Sequence, residues 1–263
     1  MAFSRPITLK HKPFVSEQEP LICTPLVGTD EVEIHRELTA ILPKRPDLLE
    51  WRVDFFSDIA DTRRVVALGQ EIQRRAGAIP LIFTRRSIRE GGQPIPLDED
   101  QVFELYAAVC GAGCADLFDY ELSVGPRHFQ QAAALAKNTG CRLIASYHNF
   151  QETPDAAALM AKFAAMEQAG ADVAKIAVMP KELRDVLTLL DATLTARKTL
   201  LLPIISMSMG AYGALSRLFG WMFGSSVSFA VGEQSSAPGQ IPIEQVNAVV
   251  AVLQQALKGD GRV

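Results

Sequence analysis

The stretch Asp172-Val173-Ala174-Lys175-Ile176-Ala177-Val178-Met179-Pro180 is a short apolar run with one lysine at its centre. Its length, its β-branched residues and the proline that closes it predict a buried strand. Because side chains alternate along a strand, Lys175 should share one face with Val173, Ala177 and Met179. Burial disfavours the ammonium form, so we expect a lowered pKa and an amine that can act as a nucleophile. The alternative is a structural lysine paired with a carboxylate.

Length and composition set the class of protein. The chain has 263 residues, of which 48% are hydrophobic, and this suits one large α/β domain. A net charge of −4 without a dense basic run argues against a nucleic-acid partner. No signal peptide or membrane span is evident, so a reducing cytoplasm is the expected location. The spacing of the cysteines predicts buried thiols and no metal site; these are Cys23, Cys110, Cys114 and Cys141.

Beyond residues 1–19, which predict an N-terminal hairpin or arm, apolar runs and amphipathic stretches alternate. The runs predict strands at 21–27, 48–55, 81–86, 116–122, 141–148, 172–179, 200–208 and 227–231. The stretches between them predict helices at 30–42, 60–76, 98–112, 126–137, 156–168, 181–197, 213–223 and 243–257. Eight strand–helix units favour a (β/α)₈ TIM barrel, with a doubly wound open sheet as the alternative. No linker divides the chain, so we expect a single barrel domain over residues 1–263.

Several predicted strands carry charges where a parallel strand should be apolar. One face of 48–55 carries Glu50, Arg52 and Asp54, and one face of 116–122 carries Asp119 and Glu121. If the apolar faces pack on the helices, these charges point into the barrel near its C-terminal end, where barrel enzymes have their active sites. A purely structural ionic network, pairing Glu50 with Arg52, is the alternative.

Two of these strands carry residues that suit imine chemistry. Lys175 lies in the sixth predicted strand, and His148 ends the fifth. An uncharged amine can attack a ketone and give an iminium, which acidifies the adjacent C–H bond. An imidazole beside it can accept and return the proton near neutral pH. A lone histidine is more often structural, but its position next to the lysine strand favours a catalytic role.

The chain resembles the type I 3-dehydroquinate dehydratases of the shikimate pathway. The resemblance runs from Leu21 to Leu257, and six motifs in family order carry it. They are EWRVD at 50–54, FTRRSIREGG at 83–92, SYHNF at 146–150, KIAVMP at 175–180, SMSM at 206–209 with Arg217, and SAPGQI at 236–241.

The resemblance implies a (β/α)₈ barrel, usually a homodimer, that converts 3-dehydroquinate to 3-dehydroshikimate for aromatic amino acid biosynthesis without metal or cofactor. It implies that Lys175 forms the Schiff base, that His148 is the general acid/base and that Glu90 works with this histidine. The implied substrate contacts are polar ones from Thr24, Glu50, Arg52 and Arg86, a carboxylate contact from Arg217, an apolar wall of Met207, Met209 and Phe229, and a closing loop with Ser236 and Gln240.

The chain departs from the family pattern at three places. Thr24 stands where a serine is more common, and Asn149 follows the histidine where an acid is common. Gly210-Ala211-Tyr212 replaces a more charged segment. We expect a retained hydroxyl contact at Thr24 and, if the acid normally tunes the histidine, a shifted pH profile from Asn149.

The sequence is also compatible with two other functions. A Schiff-base class I aldolase or transaldolase barrel would use the same lysine to cleave a C–C bond, and the region of Gly210 and Gly213 would then hold a phosphate. A non-catalytic sugar-acid-binding barrel would keep the pocket without turnover. The presence of both Lys175 and His148 argues against this second alternative.

Overall fold

The computed structural model describes residues 5–10, 12–14 and 19–259. Short apolar runs form its strands, whose limits are β1 Thr8–Leu9, β2 Lys12–Pro13, β3 Leu21–Leu26, β4 Leu48–Arg52, β5 Leu81–Thr84, β6 Leu117–Glu121, β7 Arg142–Asn149, β8 Val173–Val178, β9 Ile204–Ser208, β10 Val227–Val231 and β11 Ile241–Pro242. Strands β3 to β10 are parallel to their neighbours, whereas β1 and β2 form an antiparallel hairpin.

Amphipathic segments form the helices that connect the strands. Aspartates begin four of them, because each carboxylate accepts a hydrogen bond from a backbone N–H in the first turn. The helices are α1 Glu31–Ile41, α2 Thr62–Ala76, α3 Glu99–Gly111, α4 Pro126–Thr139, α5 Ala156–Gln168, α6 Leu183–Thr199, α7 Ala214–Phe223 and α8 Ile243–Gly259. Within the described part of the chain, none of these helices is both long and apolar enough to cross a membrane.

The sheet follows the chain order and curls back on itself. Its order is β11-β10-β3-β4-β5-β6-β7-β8-β9. The two ends approach at Ile204, which bridges to Ser225 and accepts a hydrogen bond from the N–H of Ser226 at 2.8 Å. The predicted TIM-barrel fold with an N-terminal hairpin is therefore confirmed, and the alternative of an open sheet is wrong.

Two apolar layers show which way each strand faces. Ala174, Ile176 and Val178 pack in the layer between the strands and the helices. Val173 and Ala177 belong to the inner cluster, as predicted from the alternation. The side chains of the N-terminal hairpin pack into this inner cluster at the N-terminal ends of the strands; they are Ile7, Leu9 and Phe14.

The predicted strand at 48–55 is too long. Strand β4 ends at Arg52 and a 3₁₀ turn follows over Val53–Phe55. The carboxylate of Asp54 accepts hydrogen bonds from the side chain of Arg52 and from the N–H groups of Arg86 and Gln93. These contacts turn the chain here and bring β4 and the loop after β5 to the same end of the barrel.

Candidate active site

A cavity of about 40 Å³ opens at the C-terminal ends of the barrel strands. Its small volume reflects a loop that lies across its mouth. Charged and apolar side chains both line it; the lining residues are Glu50, Arg52, Arg86, Glu90, Gly91, His148, Phe150, Lys175, Ala177, Met207, Met209, Arg217, Phe229, Ser236, Ala237 and Gln240.

Lys175 is buried at the centre of this site, and its amine has two carboxylate neighbours. Nζ donates to Oδ2 of Asp119 at 2.8 Å and to Oε1 of Glu50 at 3.3 Å. It also lies 4.5 Å from the centre of the Phe229 ring. The sequence predicts that this amine is buried, and the structure adds two carboxylates in direct contact with it.

Asp119 links this amine to the guanidinium of Arg86. Its Oδ2 lies 2.8 Å from Nη2 of Arg86, and its Oδ1 accepts from the hydroxyl of Ser146 at 2.5 Å. Burial alone would raise the pKa of Asp119, but Arg86 and Lys175 outweigh it and hold this pKa well below its usual range. Asp119 is therefore a fixed negative charge beside two cations.

His148 is the last inward-facing residue of β7, and its ring and backbone both contact Glu90. Oε2 of Glu90 lies 2.9 Å from Nδ1 of His148 and 3.0 Å from its backbone N. Burial, with Arg86 and Lys175 nearby, lowers the pKa of His148 well below its usual value. Burial and the charge of Glu121 raise the pKa of Glu90 to about 7. A neutral imidazole with Nδ1–H donating to Glu90 leaves Nε2 for proton transfer.

Arg217 is a buried cation without a carboxylate partner among the described residues. Its guanidinium donates only to neutral acceptors, namely the carbonyls of Phe229 at 3.4 Å and Pro238 at 3.1 Å and the sulfur of Met207 at 3.9 Å. Nε has no hydrogen-bond partner in the described part of the chain. Burial lowers the pKa of this group to about 10. Such a fork of donors suits an anionic ligand, above all a carboxylate.

The loop after β10 covers the cavity. Arg52 donates to the carbonyl of Ser236 at 3.3 Å, and Arg217 donates to that of Pro238. The amide of Gln240 closes the loop on itself through the N–H and the hydroxyl of Ser236. Gly239 has φ +77°, and a Cβ there would lie 2.2 Å from the carbonyl oxygen of Gly210. The loop thus rests directly on the backbone that follows β9.

The predicted site residues come together at this cavity with one exception. Thr24 does not line it. Cys23 belongs to the inner cluster, so Thr24 faces outward, where a Cβ on Gly232 would lie 2.5 Å from its Cγ2 and 2.6 Å from Cγ1 of Ile41. The predicted substrate contact of Thr24 is not supported by this geometry. Asn149 also lies outside the cavity, where its amide oxygen accepts from the N–H groups of Gln151 and Glu152.

Sequence reasoning missed the role of Asp119 and mispaired Arg52. Asp119 shares the inward face of β6 with Leu117, so the alternation contained the signal, but no function was assigned to it. The alternative pairing of Glu50 with Arg52 is wrong, because Arg52 makes a bidentate contact with Asp54 at 2.8 Å and Glu50 contacts Lys175 instead. No group of three or more His, Cys, Asp or Glu side chains within the described residues is arranged to hold a metal ion.

Comparisons with known sequences point to one family. The model of the family "Type I 3-dehydroquinase" matches residues 22–256. The 3-dehydroquinate dehydratase of Aromatoleum aromaticum is 60% identical over 99% of this chain and 100% of its own length. That of Geobacillus thermodenitrificans is 50% identical over 97% of this chain and 99% of its own.

Solved structures agree as well. The crystal structure of 3-dehydroquinate dehydratase from Geobacillus kaustophilus is 47% identical and covers 96% of this chain and 98% of that chain, with a TM-score of 0.94. The type I enzyme from Clostridium difficile, described with covalent modified comenic acid, is 35% identical with a TM-score of 0.92 and covers 97% of this chain and 100% of that chain.

Proposed function

Because this chain belongs to the type I 3-dehydroquinase family and is a hydro-lyase that converts 3-dehydroquinate in the shikimate pathway, we propose that it works through an imine on Lys175. The observation that carries the proposal is the buried amine of Lys175, which lines the same cavity as the His148–Glu90 pair. The Clostridium difficile relative was crystallised with a covalently modified ligand, which is consistent with a nucleophile in this family.

The reaction then proceeds in four steps, with His148 moving the protons. The uncharged amine of Lys175 attacks the substrate ketone, and protonated His148 supplies the proton with which the carbinolamine hydroxyl leaves as water, giving the iminium and neutral His148. Neutral His148 removes a proton from the carbon next to the iminium and gives an enamine. The enamine expels the hydroxyl group one carbon further on, and protonated His148 supplies the proton that makes it water. Hydrolysis of the iminium then consumes one water, so the net loss is one water molecule.

The charged side chains of the cavity hold the substrate around this centre. Arg217 binds the substrate carboxylate, since it is a buried fork of donors without a carboxylate of its own. Glu50, Arg52 and Arg86 contact hydroxyl groups. Met207, Met209 and Phe229 form the apolar wall, and the loop with Ser236 and Gln240 excludes water from the iminium.

The two alternative functions are not retained. An aldolase or transaldolase would form the same imine but would act on other substrates, and family membership with 60% identity to a 3-dehydroquinate dehydratase argues for dehydration. A non-catalytic barrel would need no paired acid/base, whereas Oε2 of Glu90 lies 2.9 Å from Nδ1 of His148.

Trapping the imine tests the proposal. Reduction with borohydride in the presence of 3-dehydroquinate should add substrate mass to Lys175, as read by peptide mass spectrometry. Lys175→Ala should show no adduct and no measurable turnover. Lys181→Ala, which removes an exposed lysine paired with Glu152, should keep both. An adduct on another residue, or turnover by Lys175→Ala, would show that the imine is not formed at this position.

The family resemblance also supports a homodimer of single-domain subunits. Helices α6 and α7 and the loop before α7 leave apolar side chains exposed to solvent; these are Leu183 and Leu187 on α6, Tyr212 in the loop, and Leu215 and Met222 on α7. A second copy covering this face would bury them. Sedimentation equilibrium should give twice the subunit mass, and charged substitutions at Leu215 and Met222 should give the monomer. The four free thiols support a reducing, cytoplasmic location.

A further inference from the structure

The hydroxyl of Ser123 contacts the carboxylate of Glu90, which also contacts the ring of His148. It lies in a 3₁₀ turn, Leu122–Val124, that follows β6. Its hydroxyl donates to Oε1 of Glu90 at 2.7 Å, while the other oxygen of that carboxylate, Oε2, accepts from His148. Among the described residues, Ser123 is the one hydrogen-bond donor to Oε1. The orientation of the Glu90 carboxylate is thus fixed from both of its oxygens.

Ser123 reaches Glu90 from outside the substrate cavity. It does not line that cavity, but lines a second one of about 370 Å³, formed by the loops that follow β5 and β6. Arg86 lines both cavities and separates them. Ser123 itself is exposed to solvent, so its substitution leaves the buried core intact. Any effect of Ser123 on the reaction must therefore pass through Glu90.

The charges around Glu90 have opposing effects on its pKa, so the hydrogen bond from the Ser123 hydroxyl affects its ionisation. From β6, Glu121 and Asp119 face Glu90 and disfavour its ionised form. From the loop after β5, Arg86 favours that form, with Nη1 3.8 Å from Oε2. From β7, His148 donates to Oε2. Burial and Glu121 raise the pKa of Glu90 to about 7, and Arg86 and the Ser123 hydroxyl act against them.

We propose that Ser123 is a positioning residue for proton transfer, because its hydroxyl holds Oε1 of Glu90 and so directs Oε2 toward His148. This inference rests on the roles proposed above for His148 and Glu90. A carboxylate oxygen accepts a stronger hydrogen bond than the oxygen of a protonated carboxyl group, so the contact that orients His148 weakens as the pH falls. Ser123 therefore extends activity toward lower pH.

The pH dependence of activity tests this role. In Ser123→Ala, the acid limb of the profile of kcat/KM should move up by about 0.5 to 1 pH unit, the size expected for one lost hydrogen bond to a carboxylate. Activity at pH 6 should fall about three- to tenfold, while activity at pH 9 should stay within about twofold. Ser123→Thr, which keeps the hydroxyl, should restore the wild-type profile.

A matched control is available in the wall of the same second cavity. Ser87→Ala removes a buried hydroxyl that has no hydrogen-bond partner among the described residues, and its acid limb should not move. An acid limb that stays in place in Ser123→Ala, or an equal loss of activity at all pH values, would overturn the positioning role.

Borohydride trapping separates this inference from the proposed function. If wild type and Ser123→Ala both form the Lys175 adduct while their pH profiles coincide, only the role of Ser123 is wrong. If the wild-type protein forms no adduct on Lys175, the imine mechanism fails and the inference that rests on it fails too. An adduct in both, with a shifted acid limb in the variant, supports both.

Discussion

Nζ of Lys175 lies 2.8 Å from Oδ2 of Asp119, and the same oxygen lies 2.8 Å from Nη2 of Arg86. One buried carboxylate oxygen thus contacts two basic groups, the proposed nucleophile Lys175 and Arg86, for which a substrate contact is proposed. Lys175, Asp119 and Arg86 come from β8, β6 and the loop after β5. Without this shared anion, two like charges would face each other in a dry site.

We expect Asp119→Asn to destabilise the protein by about 3 kcal/mol or more, because it leaves Arg86 and Lys175 without their shared charge. Glu50→Gln should cost less, roughly 1 kcal/mol, since among the described residues Glu50 accepts only from Nζ of Lys175 at 3.3 Å and from the hydroxyl of Thr84. Urea unfolding of both variants measures the difference. Equal stabilities for Asp119→Asn and the wild type would show that the shared charge is not needed.

Arg217→Met should separate binding from stability. The substrate carboxylate loses a charge-assisted fork worth about 2–4 kcal/mol, so KM should rise roughly 30- to 1000-fold. The free protein loses a buried cation that has no carboxylate partner among the described residues and should gain roughly 1–3 kcal/mol of stability. Steady-state kinetics and thermal unfolding provide the two readouts. An unchanged KM, or a large loss of stability, would contradict a role in binding the substrate.

Gly239→Ala should prevent the loop from seating. Its backbone has φ +77°, and the new Cβ would lie 2.2 Å from the carbonyl oxygen of Gly210. We expect kcat/KM to fall about tenfold or more, with little change in the melting temperature. Gly77→Ala is the matched control, because Gly77 also has positive φ but no atom lies within 4 Å of its new Cβ. Equal kinetics in the two variants would mean that the loop contact has no role in turnover.

Glu37 should make stability depend on pH away from the active site. Burial raises its pKa to about 7, although Oε2 accepts from the N–H groups of Val27 and Gly28. Because the folded pKa of Glu37 lies above the unfolded value near 4.5, the contribution of this group to stability is largest below pH 4.5 and is lost as the pH rises through 7.

Substitution of Glu37 isolates this contribution. Between pH 4 and pH 8, Glu37→Gln should gain up to about 3 kcal/mol relative to the wild type. Glu104→Gln, at an exposed position of α3, should show no such trend. Urea unfolding at the two pH values measures it. A constant difference between Glu37→Gln and wild type would mean that Glu37 titrates equally in both states.

The fold could be predicted from the sequence because local signals agreed with each other. Alternation separated Lys175 and Ala177 from Ala174 and Ile176, and the inner and outer layers follow that division. Strand ends were less predictable. The strand predicted to begin at Leu200 begins at Ile204, after Pro203, which has no N–H to donate to a neighbouring strand.

Two features of the sequence predicted the site: the alternation of side chains along the strands and the motifs of the family. Alternation indicates which residues face inward, but not which inward carboxylate pairs with which cation. The pairing of Asp119 with Lys175, 56 residues away, and of Asp54 with Arg52, 2 residues away, was therefore visible only in the structure. Thr24 was assigned by motif position alone, and the alternation around Cys23 already argued against it. The contact from Ser123 to Glu90 joins two loops and has no sequence signal.

The hairpin that packs into the lower end of the barrel has a kinetic consequence. Ile7, Leu9 and Phe14 fill the end of the barrel opposite the cavity. Among the described residues this packing closes the lower end, so we expect reactant, product and the expelled water molecule to pass through the cavity mouth beneath the loop after β10. The loop after β10 must then move aside at least once in each catalytic cycle so that product can leave and substrate can enter. The rate of this loop movement sets an upper limit on kcat.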